Sequence, residues 1–257
     1  MGKVVDISRS RRQARAPENT AHVLFFGHAT ALITSEKGKK ILIDPWLQDN
    51  PLCPEDIKDP GELDAIVLTH GHTDHAGCAL RIAEETGAQV FAIFELANLL
   101  VAEGLSESQI EPMGKGGTVA LSDAHGIKIH LTDAFHSNSY TKKDGSVHYA
   151  GEACGVVVQL ESGRAIYHAG DTALFSDMEL IQEKFDPEVA LLPIGDRFTM
   201  GPLDAARATN LIKPKTVIPV HYDTFDLLTG TAEVFSEHLS GSSSSVIPLS
   251  PGESYSF

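Results

Sequence analysis

Three imidazoles and a carboxylate fall within six residues at His70-Gly71-His72-Thr73-Asp74-His75. Neutral imidazole and carboxylate together suit zinc, iron, manganese or nickel, whereas calcium prefers oxygen donors alone. In a chain of 257 residues with 12 histidines, chance yields this H-x-H-x-D-H spacing only on the order of 10⁻³ times. A polar turn with coincidental histidines is the competing reading, and that arithmetic argues against it. The apolar run Leu63-Asp64-Ala65-Ile66-Val67-Leu68-Thr69 leads directly into the motif. Short, partly β-branched and closed by Thr-His-Gly, it reads as a buried strand ending in a loop. Such a loop can aim successive side chains at one point; a regular helix or strand cannot do so for all four.

Further donors stand at the ends of later strand-like runs. His136 follows Ile129-His130-Leu131-Thr132-Asp133, and His221 follows Val217-Ile218-Pro219-Val220. Asp171 follows Ile166-Tyr167-His168-Ala169-Gly170, where glycine permits a sharp turn before the carboxylate. Each alone is unremarkable, because a histidine at a strand end is more often a hydrogen-bonded surface residue. Together with the motif they supply enough donors for two cations with one carboxylate between them. Two divalent ions roughly 3.5–4 Å apart can clamp the attacking and leaving oxygens of a displacement.

Alternating strands and helices must position these groups. Strands are expected at His22 to Phe26, Thr30 to Ser35 and Lys40 to Ile43, ended by Asp44-Pro45. Helices follow at Ala76 to Glu85, stopped by Gly87, and at Glu95 to Glu103, with a strand at Gln89 to Ile93 between them. The second half resumes with strands at Thr118 to Leu121, Ile127 to Asp133, Gly155 to Leu160 and Arg164 to His168. A helix near Asp177 to Lys184, a strand at Val189 to Leu192, a helix at Leu203 to Leu211 and a strand at Thr216 to Val220 follow. Val246 to Leu249 reads as a short last strand at a sheet edge, after a flexible serine run. The layout hints at duplication, although no fixed-period repeat is visible. The polar stretch Ser137 to Ala150 is read as a mobile loop, either covering substrate or simply solvated.

Composition excludes several classes. A formal charge of −15, with 42% hydrophobic and 21% charged residues, speaks against nucleic acid and anionic lipid as partners. No apolar run approaches the roughly 20 residues of a transmembrane helix. Residues 1–19 carry Lys3, Arg9, Arg11, Arg12 and Arg15 without an apolar core. They are read as a flexible basic tail, with an organelle transit peptide as the alternative, before one domain over residues 20–257. Cys53, Cys78 and Cys154 form neither a ligand pair nor a disulfide framework, which suits a cytoplasmic protein.

The chain resembles the metallo-β-lactamase superfamily from about Val23 onward. The motifs stand here as His70-x-His72-x-Asp74-His75, His136, Asp171 and His221, in the superfamily's order. Gly27-His28-Ala29-Thr30, Asp44-Pro45-Trp46, Tyr167-His168-Ala169-Gly170-Asp171-Thr172, Leu192-Pro193-Ile194-Gly195-Asp196-Arg197 and Ile218-Pro219-Val220-His221-Tyr222 resemble one branch. That branch comprises "metal-dependent hydrolases" akin to ascorbate-6-phosphate lactonase and N-acyl-phosphatidylethanolamine phospholipase D. The resemblance implies an α/β (α+β) fold, a four-layer αβ/βα sandwich with metals at one edge of two mixed β-sheets flanked by helices. It assigns His70, His72 and His136 to one metal, Asp74, His75 and His221 to another, and Asp171 to both. Zinc is the first choice of cofactor, with manganese, iron and nickel as alternatives. A metal-bridging hydroxide would then cleave an ester, lactone or phosphodiester of a small substrate, Asp74 orienting it and shuttling its proton. Homo-oligomers are expected because such relatives often form them.

Six more residues are candidates for the surroundings of that site. His28 sits in a tight Gly-His-Ala turn and either reaches the site or holds a structural hydrogen bond. Asp44 is placed to support a ligating imidazole. His168 points along the strand toward Asp171, where packing is the expected role. Arg197 is able to clamp an anion, but a structural pair with Asp196 is preferred. Tyr222 either donates a proton to the leaving group or packs. His22, His125, His130 and His238 lack any motif context. Asp171 argues against β-lactam hydrolysis, since β-lactamases of the superfamily generally carry another residue there. Two alternatives to a small-molecule hydrolase stay open: a lipid-linked phosphodiesterase, if an apolar channel leads to the metals, and a metal-binding sensor without turnover.

Overall fold

The first half of the chain lays down β1 (His22–Gly27), β2 (Thr30–Thr34), β3 (Lys40–Ile43) and β4 (Ala65–Val67). It continues through α1 (Thr73–Ala76), α2 (Ala79–Thr86), β5 (Gln89–Ile93), α3 (Phe94–Ala102) and β6 (Ile110–Met113). The second half begins with β7 (Thr118–Ala120), β8 (Lys128–Asp133), β9 (Ser139–Thr141), β10 (Val147–Tyr149), β11 (Cys154–Gln159) and β12 (Ala165–His168). It ends with α4 (Met178–Phe185), β13 (Val189–Pro193), α5 (Pro202–Ile212), β14 (Thr216–Val220), α6 (Ala232–His238), β15 (Ser245–Val246) and β16 (Ser254–Ser256). These elements come from a computed structural model, which describes residues 20–122 and 126–257. The basic segment 1–19 and His125 lie outside the described residues.

Two seven-stranded sheets result, in the orders β16-β1-β2-β3-β4-β5-β6 and β15-β14-β13-β12-β11-β8-β7. In the first, β1, β2 and β3 are antiparallel neighbours and β3 to β6 run parallel. In the second, β8, β11 and β12 are antiparallel neighbours and β12 to β15 run parallel. An antiparallel edge strand completes each sheet, β16 beside β1 and β7 beside β8. The duplication hinted at in the sequence is therefore a duplication of strand order.

Alternation along the strands builds the layers. Val156, Val158, Ile166, Leu191 and Ile218 face the core shared with the first sheet. Their neighbours Val157, Tyr167, Ala190, Leu192 and Val217 pack with Met178, Ile181, Ala205 and Phe235 of α4, α5 and α6. Helices α2 and α3 cover the first sheet through Ile82, Ala83, Leu96 and Leu100. The order is helix, sheet, sheet, helix. Each fully buried Leu, Ile or Val adds roughly 1.5–3 kcal/mol, so both sheet faces are held firmly enough to fix the loops at their ends. No described helix is long and apolar enough to cross a membrane.

Several expectations need correction. The helix expected over Ala76 to Glu85 is two short helices, α1 and α2, broken at Gly77 and Cys78. Ser137 to Ala150, expected as a mobile loop, carries regular structure: β9 and β10 pair as a hairpin, with Tyr140 and Ala150 buried. Val246 ends β15 before Pro248, and the last strand is β16, whose Ser254-Tyr255-Ser256 gave no apolar run to read. The charged or interrupted segments β6 and α6 were not visible as elements either.

Candidate metal centre

The motif residues lie where β4 gives way to α1, with His72 at the N-terminal boundary of α1 and Asp74 and His75 inside it. One short helical turn thus redirects the chain between His72 and His75, which a plain loop was expected to do. His136 follows β8, Asp171 follows β12 and His221 follows β14. The last two turns depend on glycine in different ways. Gly170 has a φ of 60°, and a side chain there would strike Thr69. Gly195 has no room for a side chain because the His221 carbonyl lies against it.

All seven motif residues come together. His70 Nε2 is 3.0 Å from His72 Nδ1, and these two with His136 form one donor group. Asp74, His75 and His221 belong to a second, together with His28. Asp171 lies between them: Oδ1 is 3.3 Å from His75 Nε2, while Oδ2 is 3.1 Å from His221 Nε2 and 3.5 Å from His136 Nε2. His75 Nε2, Asp171 Oδ1 and both His221 ring nitrogens are buried without a hydrogen-bond partner. Buried polar atoms are seldom left so, and a cluster of orphaned nitrogen and oxygen donors is what a divalent cation requires. The residues fit a metal.

Asp44 organises the imidazoles from behind. Fully buried just after β3, it accepts from His75 Nδ1 at 2.8 Å, from the Thr69 amide at 2.8 Å and from the Thr69 hydroxyl at 2.6 Å. Thr69 Oγ1 in turn lies 3.0 Å from His70 Nδ1 and accepts its proton. One carboxylate thus turns the Nε2 atoms of both His75 and His70 toward the donors, directly and through a hydroxyl. Burial opposes the charge on Asp44, but the imidazoles of His75, His168 and His70 hold its carboxyl below the usual carboxylate value. Burial also lowers His70, His72 and His136, so their nitrogens are free at neutral pH. His75 goes the other way: Asp171 and Asp44, one at each ring nitrogen, outweigh burial and raise it. A cation held there would take the place of that proton.

Hydrogen bonds between the halves lock the two loop sets together. The His221 amide donates to the His28 carbonyl at 2.6 Å, and the Cys154 amide to the Thr69 carbonyl at 3.0 Å. Asn138 Oδ1 accepts from the Gly71 amide at 2.8 Å. His168 donates from Nε2 to the Ala29 carbonyl at 2.8 Å and accepts the Gly170 amide at Nδ1 at 3.0 Å. It is a strut, as expected, yet it braces the turn that carries Asp171. His28, Asp44 and His221 all adopt left-handed backbone, with φ of 57°, 48° and 56°. Such conformations cost non-glycine residues of order 1–3 kcal/mol and persist where the surroundings enforce them.

The remaining candidates divide. His28 reaches the site, with Nε2 3.2 Å from Asp74 Oδ2, and burial pushes its imidazole down to about 4. The pairing expected between Asp196 and Arg197 is absent: Asp196 Oδ1 accepts the Arg197 amide, and the exposed guanidinium lies 5.5 Å over the Phe198 ring. Tight turn geometry at Asp196 and Arg197, φ 66° and 57°, takes the two side chains apart. Tyr222 is half-buried and packs on the apolar core beside α5 and α6, with no hydrogen bond to the donors. Of the histidines without motif context, His130 is buried in β8 with Nδ1 2.7 Å from Thr118 Oγ1. Thr69, Asn138 and Thr224 contact His70, Gly71 and His28, and the sequence did not mark them, since small polar residues at loop ends are commonplace.

Comparison with known proteins agrees with this geometry. Residues 39–222 match the model of the "Beta-lactamase superfamily domain". The chain belongs to the metallo-β-lactamase superfamily. Within this superfamily it is 48% identical over 216 residues to a UPF0173 metal-dependent hydrolase of Rubrobacter xylanophilus, covering 84% of this chain and 87% of the relative. A second UPF0173 metal-dependent hydrolase, from Myxococcus xanthus, is 46% identical and covers 91% of this chain and 81% of its own length. Among solved structures, Igni18, a metallo hydrolase from Ignicoccus hospitalis, superposes with a TM-score of 0.81 at 37% identity, covering 93% of this chain and 98% of that one. The metallo-β-lactamase fold of this chain accordingly carries its donors at one edge, between the two sheets.

Proposed function

We propose that this chain is a metal-dependent hydrolase that holds two divalent ions and directs water onto an ester, lactone or phosphodiester of a small substrate. The observation that carries this reading is Asp171, whose two oxygens face separate groups of donors. His70, His72 and His136 would hold one ion, Asp74, His75 and His221 the other, with Asp171 shared. Bound there, divalent ions lower the pKa of water and polarise the oxygen of the scissile bond. Zinc suits a nitrogen-rich set with carboxylate oxygens; manganese, iron and nickel are the alternatives.

The protein's own contribution is positioning and proton handling. Asp74 is the open member of its group, with 31% of its side chain exposed against 0% for His28. Burial opposes its ionisation, but the neighbouring His28 and His75 imidazoles hold its carboxyl well below the usual value. An ionised, accessible carboxylate beside the donors takes the proton of the attacking water and returns it to the leaving group. Three free, buried cysteines fit a reducing compartment such as the cytoplasm.

Metal analysis of purified protein, followed by assay with p-nitrophenyl esters, bis(p-nitrophenyl) phosphate and lactones, tests the reading. Two equivalents of metal and turnover of one class are expected, and Asp74→Asn leaves folding intact yet abolishes turnover. Preference for long-chain lipid esters would shift the reading to a lipid-linked phosphodiesterase. Full occupancy without turnover of any substrate would favour a binding or sensing protein.

A further inference from the structure

We propose that His28 supplies an additional nitrogen donor to the ion held by Asp74, His75 and His221. The inference rests on the two-ion reading above and adds a ligand from outside the motif set. His28 is fully buried, and its turn is pinned twice: its own carbonyl accepts from the His221 amide, and that of Ala29 from His168 Nε2. The left-handed backbone at His28 is therefore enforced, and it delivers the imidazole inward.

The ring's hydrogen bonds fix which nitrogen is free. Thr224 Oγ1 donates to the Tyr222 carbonyl at 3.2 Å, so its oxygen accepts from His28 Nδ1, 2.9 Å away. With the proton on Nδ1, Nε2 presents a lone pair to Asp74 Oδ2 at 3.2 Å. Two acceptors facing each other at that distance repel unless a cation lies between them. Neighbouring donors about 2.0–2.1 Å from one zinc ion stand about 2.9–3.5 Å apart, and the observed spacing lies in that range. The four donor atoms of His28, Asp74, His75 and His221 all lie within 4.8 Å of one another.

Sheet topology makes the same assignment independently. His28 follows β1, the strand that opens the antiparallel part of the first sheet, and His136 follows β8, which opens that of the second. Each ion then has three imidazoles, His70, His72 and His136 for one and His28, His75 and His221 for the other. Asp74 becomes a surplus carboxylate on the second group, able to exchange between ion and proton.

Cobalt(II) titration and proton NMR of the cobalt-loaded protein test the proposal. The wild type should bind two equivalents and show a strongly shifted exchangeable resonance from His28 Nδ1–H, because only a ligating imidazole feels the unpaired electrons directly. His28→Asn, which tolerates the left-handed turn, should lose that resonance and weaken one equivalent on the order of 100-fold. Thr224→Val keeps His28 but removes its acceptor, so the same resonance should exchange faster and shift, which decides the matter if His28→Asn fails to fold. Unchanged resonances and affinities in both variants overturn the proposal while leaving the two-ion site standing. A wild type that binds no cobalt overturns both.

Discussion

The two halves of this chain share one strand order but furnish the site in opposite ways. The first half concentrates His70, His72, Asp74 and His75 where β4 meets α1. The second half contributes His136, Asp171 and His221 singly, after β8, β12 and β14. At matching strand ends the roles have also diverged. Asp44 after β3 binds imidazoles from behind, whereas Asp171 after β12 stands between the two donor groups. A duplicated scaffold thus provides equivalent loop positions, and the local turn decides whether a carboxylate there becomes a support or a donor. Concentrated donors depend on one loop; dispersed donors depend on the sheet–sheet packing that brings three strand ends together.

The largest test of that contrast removes the shared carboxylate. Asp171→Asn should abolish turnover and halve metal stoichiometry or worse, measured by elemental analysis and steady-state kinetics. Two tightly bound equivalents in this variant would show that the halves do not meet at Asp171. Asp44→Ala probes the support instead. It leaves the Thr69 amide and His75 Nδ1 without partners in a buried place, a cost of about 2–4 kcal/mol. Metal affinity should fall 10–100-fold, with turnover partly restored at high metal concentration. Recovery separates a supporting residue from a ligand.

Much of the first half's contribution was legible because its donors are contiguous and follow a β-branched run. The second half's donors were legible only as a set, since a lone His136 or His221 looks ordinary. What escaped were the particular contacts: Thr69 as the relay between Asp44 and His70, Ala29 and Gly170 as the partners of His168, and the placement of His28 against Asp74. These depend on which loops meet across the sheets, and no local spacing encodes that. The missed strands β9, β10 and β16 are short and polar on one side, so they lack the apolar run that marks a strand.

Acid should separate the two donor groups more gently. His70, His72 and His136 are all held below their usual value by burial, so protons compete with metal at that group only as pH falls beneath about 6.5. His75 is raised by Asp171 and Asp44, so protons compete for its group at higher pH. On titration from pH 8 to pH 5, the ion at His75 and His221 should therefore leave first, read by competition with a chelating dye. Simultaneous loss of both equivalents would show that the two groups behave as one.

The smallest effect lies away from the donors. His130, buried in β8 beside Phe185, is pushed down to about 4 by burial and by the charges of Lys184 and Lys128. The unfolded chain takes up a proton there near pH 6.5, whereas the native protein refuses it until about 4. The unfolded state binds more protons across that window, so stability is greatest above it and declines as pH falls through it. His130→Phe keeps an aromatic ring against Phe185 but cannot titrate. Relative to wild type, its melting temperature should rise steadily between pH 7 and pH 5, because the wild type alone pays this proton penalty. A constant difference between the two proteins over that range would place the acid sensitivity of the second half entirely in its metal donors.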